Sequence, residues 1–329
     1  MPVRVLAGDI GGTTTRLGVF EVDNDGCHPL DERDFESREH HGLDEIVAEF
    51  IGSVRARCRA ACFGIAGPVT GRRVHTTNLP WVVDADELER STGIPVVVFL
   101  NDLEATGWGV STLDESQVVV LNTGAPEASG NGAVIAAGTG LGEGGLYWDG
   151  VTFRPFACEG GHASFSPTTE LADRLLVALR GRNAHVSWER VLSGPGLVDL
   201  YRFMLDDAGR PLPGWLSEAA AAGDPAAAVS EAALGRHCEV AERTLNLYAR
   251  LYGEEAGNLA LKVMATGGVW VGGGIAPKIL PVLDVAFMDG FVAKGRMRPL
   301  MESMPVRVIL DDRTALFGAA RYAAVQITG

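Results

Sequence analysis

Two short segments built to one plan, about 130 residues apart, constrain this chain more than anything else in it. Residues 3–20 read VRVLAGDIGGTTTRLGVF, and residues 132–148 read GAVIAAGTGLGEGGLYW. Each is an apolar strand, a Gly/Thr turn and a second apolar strand. That is hairpin grammar, with glycine supplying the backbone angles a tight turn requires. Its recurrence predicts a duplicated domain. Between the copies, strand candidates at 61–65, 96–100 and 118–122 alternate with helical stretches. In 42–59, for example, Leu43, Ile46, Val47, Phe50, Ile51 and Val54 fall at helical spacing. Strands alternating with helices indicate an α/β fold. Beyond the second copy the chain turns mainly helical. Residues 216–261 are rich in Ala, Leu and Glu and are broken at Gly223-Asp224-Pro225, and 209–214 is a Pro/Gly loop. A strand-like run at 269–275 (VWVGGGI) leads through a Gly-rich turn to Pro277, which opens a helix. Residues 314–325 form a short helix with apolar residues available for docking.

A chain of 329 residues has room for two domains. Its formal charge, 28 − 42 = −14, argues against a nucleic-acid partner, which needs a basic face to displace counterions, and against an anionic membrane surface. A nucleotide substrate stays compatible, because backbone N–H groups and Mg²⁺ neutralise phosphate without a basic surface. No secretory signal precedes Asp9, and the longest uncharged stretches, 128–142 and 263–277, are short and glycine-rich. Five scattered cysteines (Cys27, Cys58, Cys62, Cys158, Cys238) contain no CxxC pair, so neither a zinc site nor a disulfide framework is indicated. A cytoplasmic protein with reduced thiols is expected.

Three glycine-rich loops carry phosphate-binding chemistry. In Gly8-Asp9-Ile10-Gly11-Gly12-Thr13-Thr14, glycines let backbone N–H groups approach phosphate oxygens, threonines add donors, and Asp9 can hold hydrated Mg²⁺; the same loop also reads as a plain glycine hairpin capped by Asp. Ala137-Gly138-Thr139-Gly140-Leu141-Gly142 offers the same groups. Gly140, Gly142 and Gly145 also satisfy GxGxxG, but a dinucleotide site needs a helix to start there, and LYWDGVTF reads as a strand. The third loop, Gly272-Gly273-Gly274, is either a bed for a flat ring or a tight strand-to-helix turn. No Gly-Lys-Ser/Thr occurs, so there is no Walker A loop and phosphate must be gripped by backbone, hydroxyls and metal.

Polar groups suited to a substrate sit elsewhere. Asp102, in Asn101-Asp102 at a strand end and helix start, is either an N-cap or a carboxylate poised to accept a hydroxyl proton. Glu159-Gly-Gly-His162 places an acceptor and a donor/acceptor on one turn. Glu189, in WERVLSGPG, stands at the start of an apolar helical run, and Asn78 lies in the turn-rich segment TNLPW.

Taken in order, Gly8–Thr14, Asn101-Asp102, Gly138–Gly142, EGGH at 159–162, ERVLSGPG at 189–196 and GGGIAP at 272–277 resemble the bacterial glucokinase family, within the hexokinase branch of the actin-like ATPase and sugar kinase superfamily. The resemblance runs from Leu6 to about Ala320. It implies two actin-like (ribonuclease H-like) α/β domains flanking a substrate cleft, one at 1–112 completed by the C-terminal helix at 311–329, the other at 113–310. It further implies a homodimer and ATP-dependent phosphorylation of D-glucose at O6. Asp102 is then the catalytic base, and Asn101, Glu159, His162 and Glu189, with Asn78 at the pocket border, hold sugar hydroxyls. Gly8, Asp9, Ile10, Gly11, Gly12 and Thr13, with Gly138, Thr139 and Gly140, bind ATP phosphates. Gly272, Gly273 and Gly274 take the adenosine, and Asp9 places Mg²⁺ through water. A sister group of kinases and repressors carries a cysteine-rich zinc site after the EGGH-type turn; here ASFSPTT follows, without cysteine. Thr14 and Glu143 also depart from the family's usual residues. The rival readings are a kinase for another hexose or amino sugar and a catalytically silent sugar sensor.

Overall fold

The computed structural model describes residues 2–23, 26–54, 56–77 and 79–328. The chain forms two compact units: Met1–Gln117 with Asp149–Ala157 and Asp311–Gly329, and Val118–Trp148 with Cys158–Leu310.

The first unit is built on a five-stranded sheet in the order Gly26–Glu36, Thr14–Asp23, Val3–Ile10, Ala60–Ile65, Val97–Asn101. The first three strands pair antiparallel and the last two join in parallel. Val3–Ile10 is the central strand, and its side chains alternate between two cores. Leu6 and Ile10 meet Leu43, Ile46, Val47 and Phe50 of the helix Leu43–Val54. Val5 and Ala7 meet Leu316, Ala319, Ala320 and Ala323 of the helix Thr314–Thr328. Burial on both faces explains the near-continuous apolar run of this strand. The first helix carries the whole apolar periodicity but is shorter than the stretch 42–59, and the C-terminal helix is longer than 314–325.

The helix Thr314–Thr328 crosses Asp102–Gly109 at close quarters, and two glycines make room. A Cβ on Gly318 would strike the Ala105 carbonyl, and one on Gly109 would strike that of Thr314. Backbone approach of this kind leaves no space for a side chain, which is why an alanine- and glycine-rich face packs here. The excursion Asp149–Ala157 is held to the same unit by Arg154, whose guanidinium lies 5.7 Å over the Trp108 ring, and by a 3.2 Å bond from Arg321 to the Thr152 hydroxyl.

The second unit repeats the scheme. Leu141–Trp148 pairs antiparallel with Gly132–Ala137, which pairs in parallel with Gly268–Gly272, which pairs in parallel with Val306–Ile309. These four strands reproduce the pairing of Thr14–Asp23, Val3–Ile10, Ala60–Ile65 and Val97–Asn101. Val118–Asn122 adds an antiparallel edge. Because Leu141–Trp148 is a strand, the GxGxxG coincidence does not open a helix. The helical region resolves into Gly214–Ala222, Pro225–Leu234 and the long, largely buried Glu239–Val263, with the expected break at Gly223, where φ is +96°. Among the described residues no helix is long and apolar enough to cross a membrane.

Candidate active site

In the first unit the Gly8–Thr14 loop closes the hairpin, with the Gly11 N–H donating to the Thr14 carbonyl at 3.0 Å. Among the described glycines with positive φ, none belongs to this loop or to Gly138–Gly142. At Gly8, Gly11 and Gly140 space rather than backbone angle therefore excludes a side chain, which corrects the reading from turn grammar, while Gly138 has open space around it. A Cβ on Gly8 would come 2.5 Å from the Phe63 ring, and one on Gly11 would come 2.7 Å from the Thr14 carbonyl oxygen. Ser37 braces the loop from a neighbouring turn. Its hydroxyl donates to the Gly11 carbonyl at 2.9 Å, and its N–H donates to the Thr13 carbonyl at 2.7 Å. Thr13 and Thr14 remain exposed beside it.

Of the two roles that sequence left open for Asp102, capping falls to Asn101. Asn101 is the N-cap of Asp102–Gly109: its Oδ1 accepts the Leu103 N–H at 2.9 Å, and Glu104 reaches back to the Asn101 N–H at 3.2 Å. The Asn101 amide also donates to the Gly67 carbonyl at 3.0 Å, where Gly67 has φ +110°. Asp102 is thus the first residue inside the helix, one carboxylate oxygen accepting the Leu103 N–H at 3.0 Å. Gly64, on the strand beside it, admits this helix start, since a Cβ there would lie 3.0 Å from that of Ala105. The Asp102 charge acts on Asp9. Although part of Asp9 is accessible, its carboxyl is raised to about 7, first by burial and then by the Asp102 carboxylate, with Arg16 opposing. Arg16 itself is engaged by Asp34 at 2.7 Å and Asp312 at 3.2 Å. Asn78 lies outside the described residues.

The second unit brings Glu159, His162 and Glu189 into one patch. Glu159 stands before a single turn, Gly160–His162, and the His162 imidazole lies 3.8 Å from the Glu159 carboxylate and 3.9 Å from that of Glu189. Glu189 is not at a helix start, as its apolar neighbours suggest. It sits in a turn ahead of the helix Gly194–Asp207, whose cap is Ser193. Backbone bonds from Glu189 N–H to the Gly161 carbonyl at 2.9 Å and from Trp188 N–H to the Ala163 carbonyl at 3.0 Å clamp this turn to the first. The two glycines of EGGH are required by crowding: a Cβ on Gly160 would strike the Glu143 carboxylate, and one on Gly161 the Leu141 carbonyl.

The same patch is tied to the second Gly/Thr loop. Glu189 Oε2 accepts the Leu141 N–H at 3.1 Å, and the Gly194 N–H donates to the Gly138 carbonyl at 2.8 Å. Thr139 is exposed at the loop tip. The third loop abuts the second: Gly273 has φ +81°, and a Cβ there would strike the Ala137 carbonyl. A buried residue that no sequence pattern marked, Tyr252, pins both. Its hydroxyl accepts the Ala137 N–H at 3.0 Å and lies 3.3 Å from the carbonyls of Ile135 and Gly272. Tyr252→Phe strands a buried N–H, a loss of about 1–3 kcal/mol. Thermal unfolding of the second unit is expected at correspondingly lower temperature; an unaltered transition removes this bracing role.

The donor set suits a hydrated Mg²⁺. Asp9 is a carboxylate held back from full ionisation by its surroundings and by a second carboxylate, which a cation relieves. Among the described residues no three His, Cys, Asp or Glu side chains gather to hold a metal alone. Mg²⁺ needs only one or two carboxylates when water and phosphate supply the other ligands.

Known proteins share this architecture and sequence. A family model described as Glucokinase matches residues 6–326. A glucokinase from Nostoc punctiforme is 40% identical over 336 aligned positions, covering 97% of this chain and 98% of its own. The crystal structure of a glucokinase from an Antarctic psychrotroph superposes with a TM-score of 0.86 at 32% identity, covering 98% of this chain and 99% of that one. A ROK family glucokinase from Streptomyces griseus, crystallised with glucose and AMPPNP, shares the fold at a TM-score of 0.65 and 24% identity, over 98% and 99% of the two chains. With one family matched across nearly its whole length and full-length relatives at this identity, the chain belongs to the glucokinase family.

Proposed function

We propose that this chain transfers the γ-phosphoryl group of ATP to O6 of D-glucose, with Asp102 as general base. Glucose phosphorylation follows from the family; the residue roles are our assignment. The observation that carries the assignment is the division of labour at the helix start. Asn101 performs the capping, which leaves Asp102 placed for other chemistry, within electrostatic reach of Asp9 on the first Gly/Thr loop. Asp102 accepts the O6 proton as O6 attacks the γ-phosphorus in line, a role worth about 10²–10⁴ in rate. Glu159, His162 and Glu189 hold the other hydroxyls, and Asn101 adds a contact through the amide valence its capping bonds leave over. Backbone N–H groups of Gly8–Thr13 and Gly138–Gly140, with the exposed threonine hydroxyls, receive the phosphates, and Gly272–Gly274 receives the adenosine. Asp9 holds Mg²⁺ through water, and bound Mg²⁺ supplies neutralisation of charge on the transferring phosphoryl group. The Streptomyces griseus relative holds ligands of both proposed classes.

A coupled assay for ADP release with ATP, Mg²⁺ and glucose, run beside mannose, fructose and N-acetylglucosamine, tests the reading. Turnover confined largely to glucose is expected. Stronger turnover with another sugar keeps the mechanism and replaces the substrate, because an unpaired buried polar group costs about 1–3 kcal/mol and so sets specificity.

A further inference from the structure

Glu143 follows the second Gly/Thr loop, on the strand Leu141–Trp148. The structure buries it to 2% exposure, and Glu255 of the helix Glu239–Val263 beside it to 0%. Glu143 Oε1 lacks a hydrogen-bond partner, and Glu255 Oε1 has no hydrogen bond, only the Lys262 ammonium at 3.5 Å. Two buried carboxylates side by side cannot both ionise at little cost, whereas one proton between them supplies a donor for a stranded oxygen. Glu143 also touches the turn that presents Glu159 and His162. Its carboxylate fills the space a Gly160 Cβ would occupy, and its carbonyl accepts the Cys158 thiol at 3.3 Å.

We propose that the Glu143–Glu255 pair, sharing one proton, positions the Glu159–His162 turn for sugar recognition, so that Glu143 is a positioning residue for glucose. The proposal rests on the assignment of Glu159 and His162 to the sugar. The groups facing the pair are Lys262, 3.5 Å from Glu255; Asn258, 2.7 Å from Glu255; Tyr252, one helical turn back; and Cys158 with Glu159 on the adjoining turn. Lys294 lies farther off, bonded to Asn258 and the Glu254 carbonyl, and its charge favours the ionised form of Glu255. Asn258, Lys262 and Lys294 all favour the ionised form of Glu255, whereas of these only Lys262 acts on Glu143, so the proton resides chiefly on Glu143. Burial raises that carboxyl to about 8, and the Glu255 charge adds to the effect. Above that pH the pair becomes two buried anions, whose repulsion bears on the Gly160 backbone.

The test compares Glu143→Ala and Glu143→Gln with the unaltered enzyme, measuring KM for glucose, KM for ATP and kcat from pH 6 to 9.5. Glu143→Ala should raise KM for glucose by roughly tenfold, the size of one lost hydrogen-bonded contact, with kcat and KM for ATP little changed. Glu143→Gln, whose amide donates to Glu255 at every pH, should restore KM for glucose and hold it flat above pH 8, where that of the unaltered enzyme climbs. Should the alanine variant fail to fold, the two pH profiles still decide. Superimposable profiles, or a change confined to KM for ATP, overturn the proposal. Glu159→Ala and His162→Ala are run alongside. If they leave KM for glucose unmoved, the site assignment itself fails; if they raise it and a folded Glu143→Ala does not, only the present proposal falls.

Discussion

Asp102→Ala is expected to lower kcat by about 10²–10⁴, equivalent to roughly 3–5 kcal/mol of transition-state stabilisation, while glucose binding largely survives. The separation is possible because capping belongs to Asn101, whose bond to the Leu103 N–H and whose partner Glu104 do not involve the Asp102 side chain. The helix start should therefore persist, and thermal unfolding should move little. Asp102→Asn is the stricter variant, since it keeps an acceptor for the Leu103 N–H and removes only the basicity. Single-turnover measurements with saturating ATP and glucose isolate the chemical step. A variant that turns over at the unaltered rate would falsify Asp102 as the base. One that loses glucose affinity and kcat together makes Asp102 chiefly a sugar contact.

Trp188→Ala should be the most damaging single truncation near the site, costing the second unit about 3–5 kcal/mol. The indole is 2% exposed and packs edge-on to Phe165 at 4.8 Å between ring centres. It precedes Glu189 directly, so the void opens beneath the turn that carries this carboxylate. Domains are stable by only about 5–15 kcal/mol, so the loss is a large fraction of the total. Calorimetry should resolve a transition at lower temperature for the second unit with the first unit's largely unmoved, because a two-unit chain need not unfold in one step. KM for glucose should rise as the Glu189 turn loosens. A loss below about 1 kcal/mol would mean that the site collapses around the missing ring and that the indole is not the anchor of this turn.

How far the chain could be read in advance differs from residue to residue. The loops at Gly8–Thr14 and Gly138–Gly142 announce themselves, because a strand followed by Gly and Thr followed by a strand is a local pattern. The pairing scheme they imply recurs in both units. Helix limits were less legible: Leu43–Val54 holds every residue of the apolar periodicity and ends with it, short of the 42–59 stretch, with Ile51 and Val54 at the edge of the core. Glu189 looked like part of a helix because Val191 and Leu192 are apolar, yet those two residues serve the core from a turn.

What sequence alone determined is the class of fold, the duplication and the kinds of group available for phosphate and sugar, all of which depend on neighbours a few positions apart. Only the tertiary structure decided which of Asn101 and Asp102 caps the helix, why the EGGH glycines admit no side chain, and that Ser37, Tyr252 and Glu255 bear on the site at all. Ser37 reaches the first loop from 26 positions away, and Tyr252 meets Ala137 across 115. Such contacts follow from strand order and helix packing, so no spacing along the chain encodes them. Burial, which gives the proton between Glu143 and Glu255 its consequence, exists only once the strand Leu141–Trp148 and the helix Glu239–Val263 have packed together.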